Sequence, residues 1–320
     1  MNILILSAGR RMSLFKIFQE ELKRFFPDGI VYTVDANPSR SPVCQSNKSF
    51  SGEIPRVSAE NYVKKLLDFV RVHEITIIIP TIDTELSILS QSKALFLNNG
   101  CQIVISDPEF IAQCQDKSNQ KNFFKQFEID TPLILDKNNL VFPAFAKPKN
   151  GSRSQGIIYL NEVNDLSDNI LKNEDLIFME LISKDEFKEF TVDMYFSKES
   201  KLLSLVPRER LSVRDGEVSI GRTVKSNLYN ILVQKFKFIQ GAHGCITAQF
   251  FYSSRQDKVL GIEINPRFGG GYPLSYNAGA NFQENIIQEY GLKEKKLELD
   301  EQWTDQMVML RHDSEIYYQE

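Results

Sequence analysis

The strongest constraint on the fold lies between residues 243 and 277, HGCITAQFFYSSRQDKVLGIEINPRFGGGYPLSYN. Two apolar runs, ITAQFFY and VLGIEIN, flank a short polar link, SSRQDK, so the pair reads as a β-hairpin. Turn geometry sets Gln249 almost opposite Glu263, and the two-residue period of a strand sets Asn265 on the same face as Glu263. Three oxygen-bearing side chains therefore converge on one sheet face, with Arg267 following at once. Oxygen ligands beside a guanidinium suit magnesium bound to a polyphosphate. Ile262, Ile264 and the flanking aromatics argue that the strands are packed rather than a solvated ribbon.

The 320 residues suffice for two or three compact units, and 42% apolar with 25% charged residues is ordinary for a globular chain with a substantial core. A net charge of −4 gives no global basic field for nucleic acid. No run approaches the length of a membrane span, and none is expected. The start, MNILILSAGRR, carries its basic pair after a short apolar run, the reverse of a signal peptide. Cys44, Cys101, Cys114 and Cys245 are scattered without a C-x-x-C pair, which fits a reduced cytoplasm and small apolar roles.

The first 107 residues alternate short apolar runs with amphipathic ones. NILILS, Ile30 to Val34, ITIII at 75–79 and Gln102 to Ile105 read as strands, and Met12 to Phe26, Tyr62 to Val72 and Leu86 to Leu97 as helices. Such alternation implies a parallel sheet covered on both faces, with a ligand cleft at the strand C-termini, where Ser7-Ala8-Gly9-Arg10, Asp35 and Pro80 to Asp83 fall. The first turn, SAGRRMS, lacks G-x-G-x-x-G, which argues against a dinucleotide oxidoreductase. Asp107-Pro108 reads as a helix start and a domain boundary. Beyond a short helical stretch, KSNQKNFFKQF, strands dominate: PAFAKP, GIIYL, DLIFMEL, FTVDMYF and KLLSLVP, then a helix near Asn227 to Gln240, the hairpin, and a last strand around Met307 to Arg311. The expected class is therefore α/β followed by α+β.

Lys147 ends a strand and precedes the loop Asn150-Gly151-Ser152-Arg153-Ser154-Gln155-Gly156, whose small residues let backbone N–H groups approach phosphate oxygens. Lys117 opens a helical stretch. Glu180 ends the strand LIFMEL, where one N–H and one C=O can pair with an adenine edge, and Glu189 can accept from ribose hydroxyls. The ordered set of a lysine, a second lysine with a Gly/Ser loop, two glutamates and then Gln…Glu-x-Asn-Pro-Arg resembles the ATP-grasp superfamily, and within it the branch of the carbamoyl-phosphate synthase large subunit.

The resemblance implies an N-terminal Rossmann-like parallel sheet over 1–107, a small subdomain over 108–188 and a large subdomain over 189–320. It implies phosphate contacts from Lys117, Lys147, Ser152, Ser154 and Gly156, an adenine hinge at Glu180, Leu181 and Ile182, and a ribose-binding acid at Glu189. It maps metal ligation onto Gln249, Glu263 and Asn265, and phosphate stabilisation onto Arg267. Arg267, Lys147 and Glu263 are then the catalytic set, with ATP and Mg²⁺ as cofactors, two ions being expected and Mn²⁺ an alternative. Arg208 or Arg210 is expected to grip a substrate carboxylate, and His243 to contact phosphate or substrate. The implied reaction joins a small-molecule carboxylate to an amine through an acyl phosphate, in a cytoplasmic protein, with a homodimer as one arrangement, without nucleic acid or membrane. FGGGYPL departs from the serines of the synthase pattern, which favours a single-module ligase over bicarbonate and ammonia chemistry with a partner subunit. An ATP-binding sensor module is the reading of another class.

Overall fold

The computed structural model describes residues 1–115, 117–148, 156–214, 216–294 and 298–319; nothing is said of the side chains of residues 117–119. Five strands, β1 (Asn2–Ile5), β2 (Ile30–Asp35), β3 (Ser51–Glu53), β4 (Ile75–Ile79) and β5 (Gln102–Ile103), form a parallel sheet in the order β3-β2-β1-β4-β5. Continuous Ile and Leu runs bury both faces under helices such as Met12–Phe25 and Tyr62–Val72. The strand order reverses between β1 and β4, so the crevice at their C-terminal ends is where the parallel-sheet rule puts a ligand.

A second sheet is antiparallel and small: β6 (Ile134–Leu135), β7 (Ala144–Pro148), β8 (Ile158–Leu160) and β9 (Leu176–Glu180), ordered β6-β9-β7-β8. Its core is Ala144, Ala146, Leu160 and Phe178. The third sheet has β10 (Lys188–Phe196), β11 (Leu202–Arg214), β12 (Glu217–Thr223), β13 (Gly244–Ser253), β14 (Lys258–Asn265) and β15 (Val308–Leu310), ordered β14-β13-β10-β11-β12-β15, with every pair antiparallel. One face packs Phe190, Val192, Met194, Ala248, Phe250 and Ile264 into a large core.

Several details depart from the sequence reading. The expected helix Leu86 to Leu97 is two helices, Asp83–Gln91 and Lys93–Leu97, parted at Ser92. The helix after Asn227 stops at Lys235. Strand β3, whose residues Ser-Gly-Glu carry no apolar signal, was not expected at all. The helices Pro108–Gln115 and Lys117–Gln126 were expected with the small subdomain, yet Phe110, Cys114, Phe123 and Phe124 pack into the core of the third sheet. Gly261 explains the fit: a β-carbon there would collide with the Phe124 ring. The four cysteines are unpaired and buried, and burial pushes the Cys101 thiol up to about 12. Among the described residues no helix is long and apolar enough to cross a membrane.

Candidate active site

The face of the third sheet opposite its core is polar around Glu263, while Tyr195, Val206 and Cys245 on it pack into the core shared with the first sheet, and register fixes what stands beside what. Glu263 lies opposite Gln249, Gln249 opposite Thr191, and Thr191 opposite Arg208. One step along, Asn265 lies opposite Thr247 and Thr247 opposite Asp193. The first row depends on a β-bulge. From Ser253↔Lys258 to Phe250↔Gly261 the pairing is regular, and the register then shifts by one, leaving Ile262 as the extra residue. Without that shift Glu263 would lie opposite Ala248 and point into the core.

The metal-ligand candidates meet. The Gln249 side-chain amide donates to Glu263 Oε1 at 2.6 Å, and the Asn265 amide donates to the same oxygen at 3.0 Å. Glu263 Oε2 and both amide oxygens have no partner among the described residues, so rotation of the two amides would present one carboxylate and two carbonyl oxygens together. This all-oxygen set fits a hard divalent cation such as Mg²⁺.

Arg267, two residues beyond Asn265, reaches across to the first sheet. Its Nε and Nη2 donate to the two oxygens of Asp83, at 2.9 and 2.5 Å. Arg11 lies alongside, donating to the carbonyls of Phe268 at 3.1 Å and Thr81 at 3.0 Å. Burial, then the neighbouring Arg267 charge, lowers its pKa to about 10, so two guanidiniums sit together where the sheets meet. Asp83 is expected from sequence only at the mouth of a ligand cleft, not as a partner of Arg267, and Arg11 is not marked at all. Their partners lie 184 and 257 residues away, and only a contact map could have found them.

Arg208 and Arg210 do share the polar face, but the structure commits both guanidiniums to protein carboxylates. Arg208 is 1% exposed and pairs bidentately with Asp193, 0% exposed, at 2.7 and 3.1 Å. Asp193 also accepts from Ser275 Oγ at 2.6 Å and from Thr247 Oγ1 at 3.2 Å. Thr247 in turn accepts the Gly269 N–H at 2.9 Å. The departure FGGGYPL now has a physical reason, because a β-carbon at Gly271 would collide with the Arg208 guanidinium. The expectation of Arg208 as a free substrate clamp is corrected: it is the buried hub of a network that shapes the turn after Arg267. Arg210 Nε stands 2.9 Å from Glu189 Oε1, so a ribose-binding role for Glu189 would share its carboxylate with that cation.

His243 is also elsewhere. It precedes β13 and lies six residues from Gln249, about 20 Å along an extended chain. Its Nε2 stands 3.4 Å from Asp107 Oδ1, which also accepts from Lys93 Nζ at 2.9 Å, and its Nδ1 stands 3.1 Å from the Ser197 carbonyl. Its expected contact with phosphate or substrate is therefore corrected to a place in the junction with the first sheet.

On the small sheet, Lys147 lies on β7 opposite Ile177, on the face away from Ala144 and Ala146. Glu180 ties β9 to the preceding segment: its N–H donates to the Leu133 carbonyl at 3.0 Å and its Oε1 accepts the Leu133 N–H at 2.9 Å. The Leu181 N–H is committed to the Pro143 carbonyl at 3.3 Å, so of the three hinge residues Ile182 is the one whose N–H makes no bond within the described residues. The link from Glu180 to Glu189 is also the crossing from the small sheet to the large one. Gly156 adopts φ +74°, a conformation that favours glycine. Ser152, Ser154 and the side chain of Lys117 lie outside the described residues.

Two family models match this arrangement in order along the chain: "PylC-like, N-terminal domain" over residues 3–104, and "ATP-grasp in the biosynthetic pathway with Ter operon" over residues 172–309. The C-terminal match is to an ATP-grasp model. ATP-grasp enzymes use ATP with Mg²⁺. No curated protein matches it in sequence. Solved ATP-grasp structures share its fold. Biotin carboxylase from Campylobacter jejuni, a β,γ-ATP complex, is 13% identical over 96% of this chain and 74% of that one, with a TM-score of 0.68. N5-carboxyaminoimidazole synthetase from Staphylococcus aureus, complexed with ADP, is 15% identical over 97% and 79%, with a TM-score of 0.67. The biotin carboxylase domain dimer of Hydrogenobacter thermophilus 2-oxoglutarate carboxylase, with MgADP and bicarbonate, is 13% identical over 96% and 73%, also at 0.67.

Proposed function

We propose that this ATP-grasp ligase activates a small-molecule carboxylate as an acyl phosphate and joins it to an amine, releasing ADP and phosphate. The observation that carries the reading is the convergence of Gln249, Glu263 and Asn265 on one carboxylate oxygen, with Arg267 adjoining at the seam with the first sheet. Phosphoryl transfer needs positioning and charge neutralisation more than covalent participation by the protein. Gln249, Glu263 and Asn265 would hold Mg²⁺, one ion or two, with Mn²⁺ as a substitute; when bound it neutralises the β- and γ-phosphates. Lys117, Lys147 and the backbone from Ser152 through Ser154 to Gly156 would take the remaining phosphate oxygens. Glu180 to Ile182 would receive the adenine edge, the Ile182 N–H being the available donor. Glu189 would receive the ribose while Arg210 holds its carboxylate in place. Arg267 would exchange one of its two Asp83 contacts for the transferred phosphate.

The units are then 1–107, 108–188 and 189–320, with the helices of 108–126 tied to the third. A cytoplasmic setting is supported by the four buried free thiols, and a homodimer is a further part of the reading. The test is a phosphate-release screen of amino acids and other small acids with Mg-ATP, followed by mass spectrometry of any product. Amide formation with stoichiometric ADP is expected. ADP release that depends on bicarbonate alone, or ATP binding without any turnover, would overturn the proposal.

A further inference from the structure

A second concavity lies outside the sheet that carries Glu263. It is a cavity of about 400 Å³ at the C-terminal ends of β1, β2 and β4, lined by Ser7, Asp35, Arg56, Ser58, Tyr62 and Thr84 among others. Its size suits a small metabolite. Ile82 and Thr84, the chain neighbours of Asp83, are among its lining residues.

The lining carries three acidic or basic residues, Asp35, Arg56 and Glu85. The Asp35 oxygens accept one backbone N–H each, from Gly9 at 3.0 Å and Asn37 at 3.2 Å, which leaves lone pairs free. The Arg56 guanidinium makes no hydrogen bond or ion pair among the described residues. The Tyr62 hydroxyl also lines the cavity; its residue is only 2% exposed, and the hydroxyl makes no well-aligned hydrogen bond. Its neighbour is the Glu85 carboxylate, whose Oε1 accepts the N–H groups of Thr81 at 2.8 Å and Ile82 at 3.2 Å and whose Oε2 accepts from Ser7 Oγ at 2.9 Å and keeps one lone pair toward the hydroxyl. Burial is the main cause that raises the Glu85 pKa. Ser7 is held at φ +46°, a strained backbone for a residue with a side chain, as is common where a ligand is gripped. A buried hydroxyl without a well-aligned partner is costly unless a ligand completes it. A phosphorylated ligand would meet the Asp35 carboxylate, which disfavours it electrostatically.

We propose that this cavity binds a free amino acid as a zwitterion, its ammonium on Asp35, its carboxylate on Arg56 and one polar atom on the Tyr62 hydroxyl. The proposal rests on the ligase reading for the use made of that amino acid, as a substrate, but not for its binding. Calorimetric titration of the full chain without nucleotide tests it, using the proteinogenic amino acids and then the N-acetyl and carboxamide derivatives of the tightest binder. Each derivative should bind about tenfold or more weakly, the scale of a charge-assisted hydrogen bond. Asp35→Asn should erase the discrimination against the N-acetyl form, Arg56→Gln that against the carboxamide, and Tyr62→Phe should weaken the free amino acid several-fold. The proposal is overturned if no amino acid binds, if Asp35→Asn and Arg56→Gln both bind like the parent, or if ribose 5-phosphate binds more tightly than any amino acid. Glu263→Gln separates the two readings. It should lose Mg-nucleotide binding and keep the amino acid, and if it keeps Mg-ATP instead, the metal assignment fails while the cavity result stands.

Discussion

The two antiparallel sheets carry opposite halves of the proposed nucleotide site and are built to different standards. The larger sheet rests on a core of Phe190, Val192, Met194, Phe250, Ile264 and many others, and its polar face is cross-linked by the Arg208–Asp193 pair and the Thr247 and Ser275 hydroxyls. The smaller one, with Lys147 and the hinge, rests on Ala144, Ala146, Leu160 and Phe178. The contrast follows from the chemistry each supports. A divalent cation needs oxygens fixed to a fraction of an ångström, whereas a lysine ammonium on a four-carbon stem tolerates movement of its platform. Few buried apolar contacts also place the small sheet toward the low end of local stability.

Four substitutions sharpen that contrast. The largest effect is expected of Glu263→Ala, which removes the only carboxylate of the metal set and should cost about 10³-fold in kcat. ADP release with Mg-ATP measures it, and near-parental turnover would sink the metal assignment. Next, Asp193→Ala leaves the Arg208 charge buried and alone, a loss of about 3–5 kcal/mol in denaturant unfolding. A shift below 1 kcal/mol would mean that the pair does not brace the sheet. Phe178→Ala should cost about 3 kcal/mol, the low end for a buried aromatic, and hydrogen exchange should rise in β7 and β9 while β10 and β13 stay protected. Equal loss of protection in both sheets would break the comparison.

The smallest effect concerns the junction. Burial pushes the Asp107 carboxyl up, but Lys93 and His243 outweigh it and hold its pKa below the usual 3.8. A depressed carboxyl adds stability that is fully present above pH 3.8 and is lost as pH falls through the lower folded-state value. Because Asp107 is 41% exposed, solvent screening keeps the contribution under about 1 kcal/mol. Asp107→Asn should therefore lower stability at pH 7 slightly and show a shallower loss below pH 3.8; identical acid limbs would exclude the linkage.

Much of this could be read in advance because strand periodicity and short-range motifs are local. The alternation of Glu263 and Asn265, the parallel pattern of the first sheet and the packed hairpin all follow from neighbours in the chain. The failures have a common cause. Arg208 looked like a free guanidinium, since its partner Asp193 stands fifteen positions away on another strand. His243 looked adjacent to the metal hairpin, which it is in sequence, although an extended strand carries it to the far end of the sheet.

From the order of residues alone came the strands, the faces on which polar groups alternate, and the Glu-x-Asn-Pro-Arg string that points to nucleotide chemistry. Packing settled the rest. A single bulged residue, Ile262, turned Glu263 from the core to the polar face, and the collapse of two distant sheets onto one another brought Arg267 to Asp83. Register and charge pairing are non-local: they depend on which strands lie side by side, and a chain specifies that only through the whole of its buried surface.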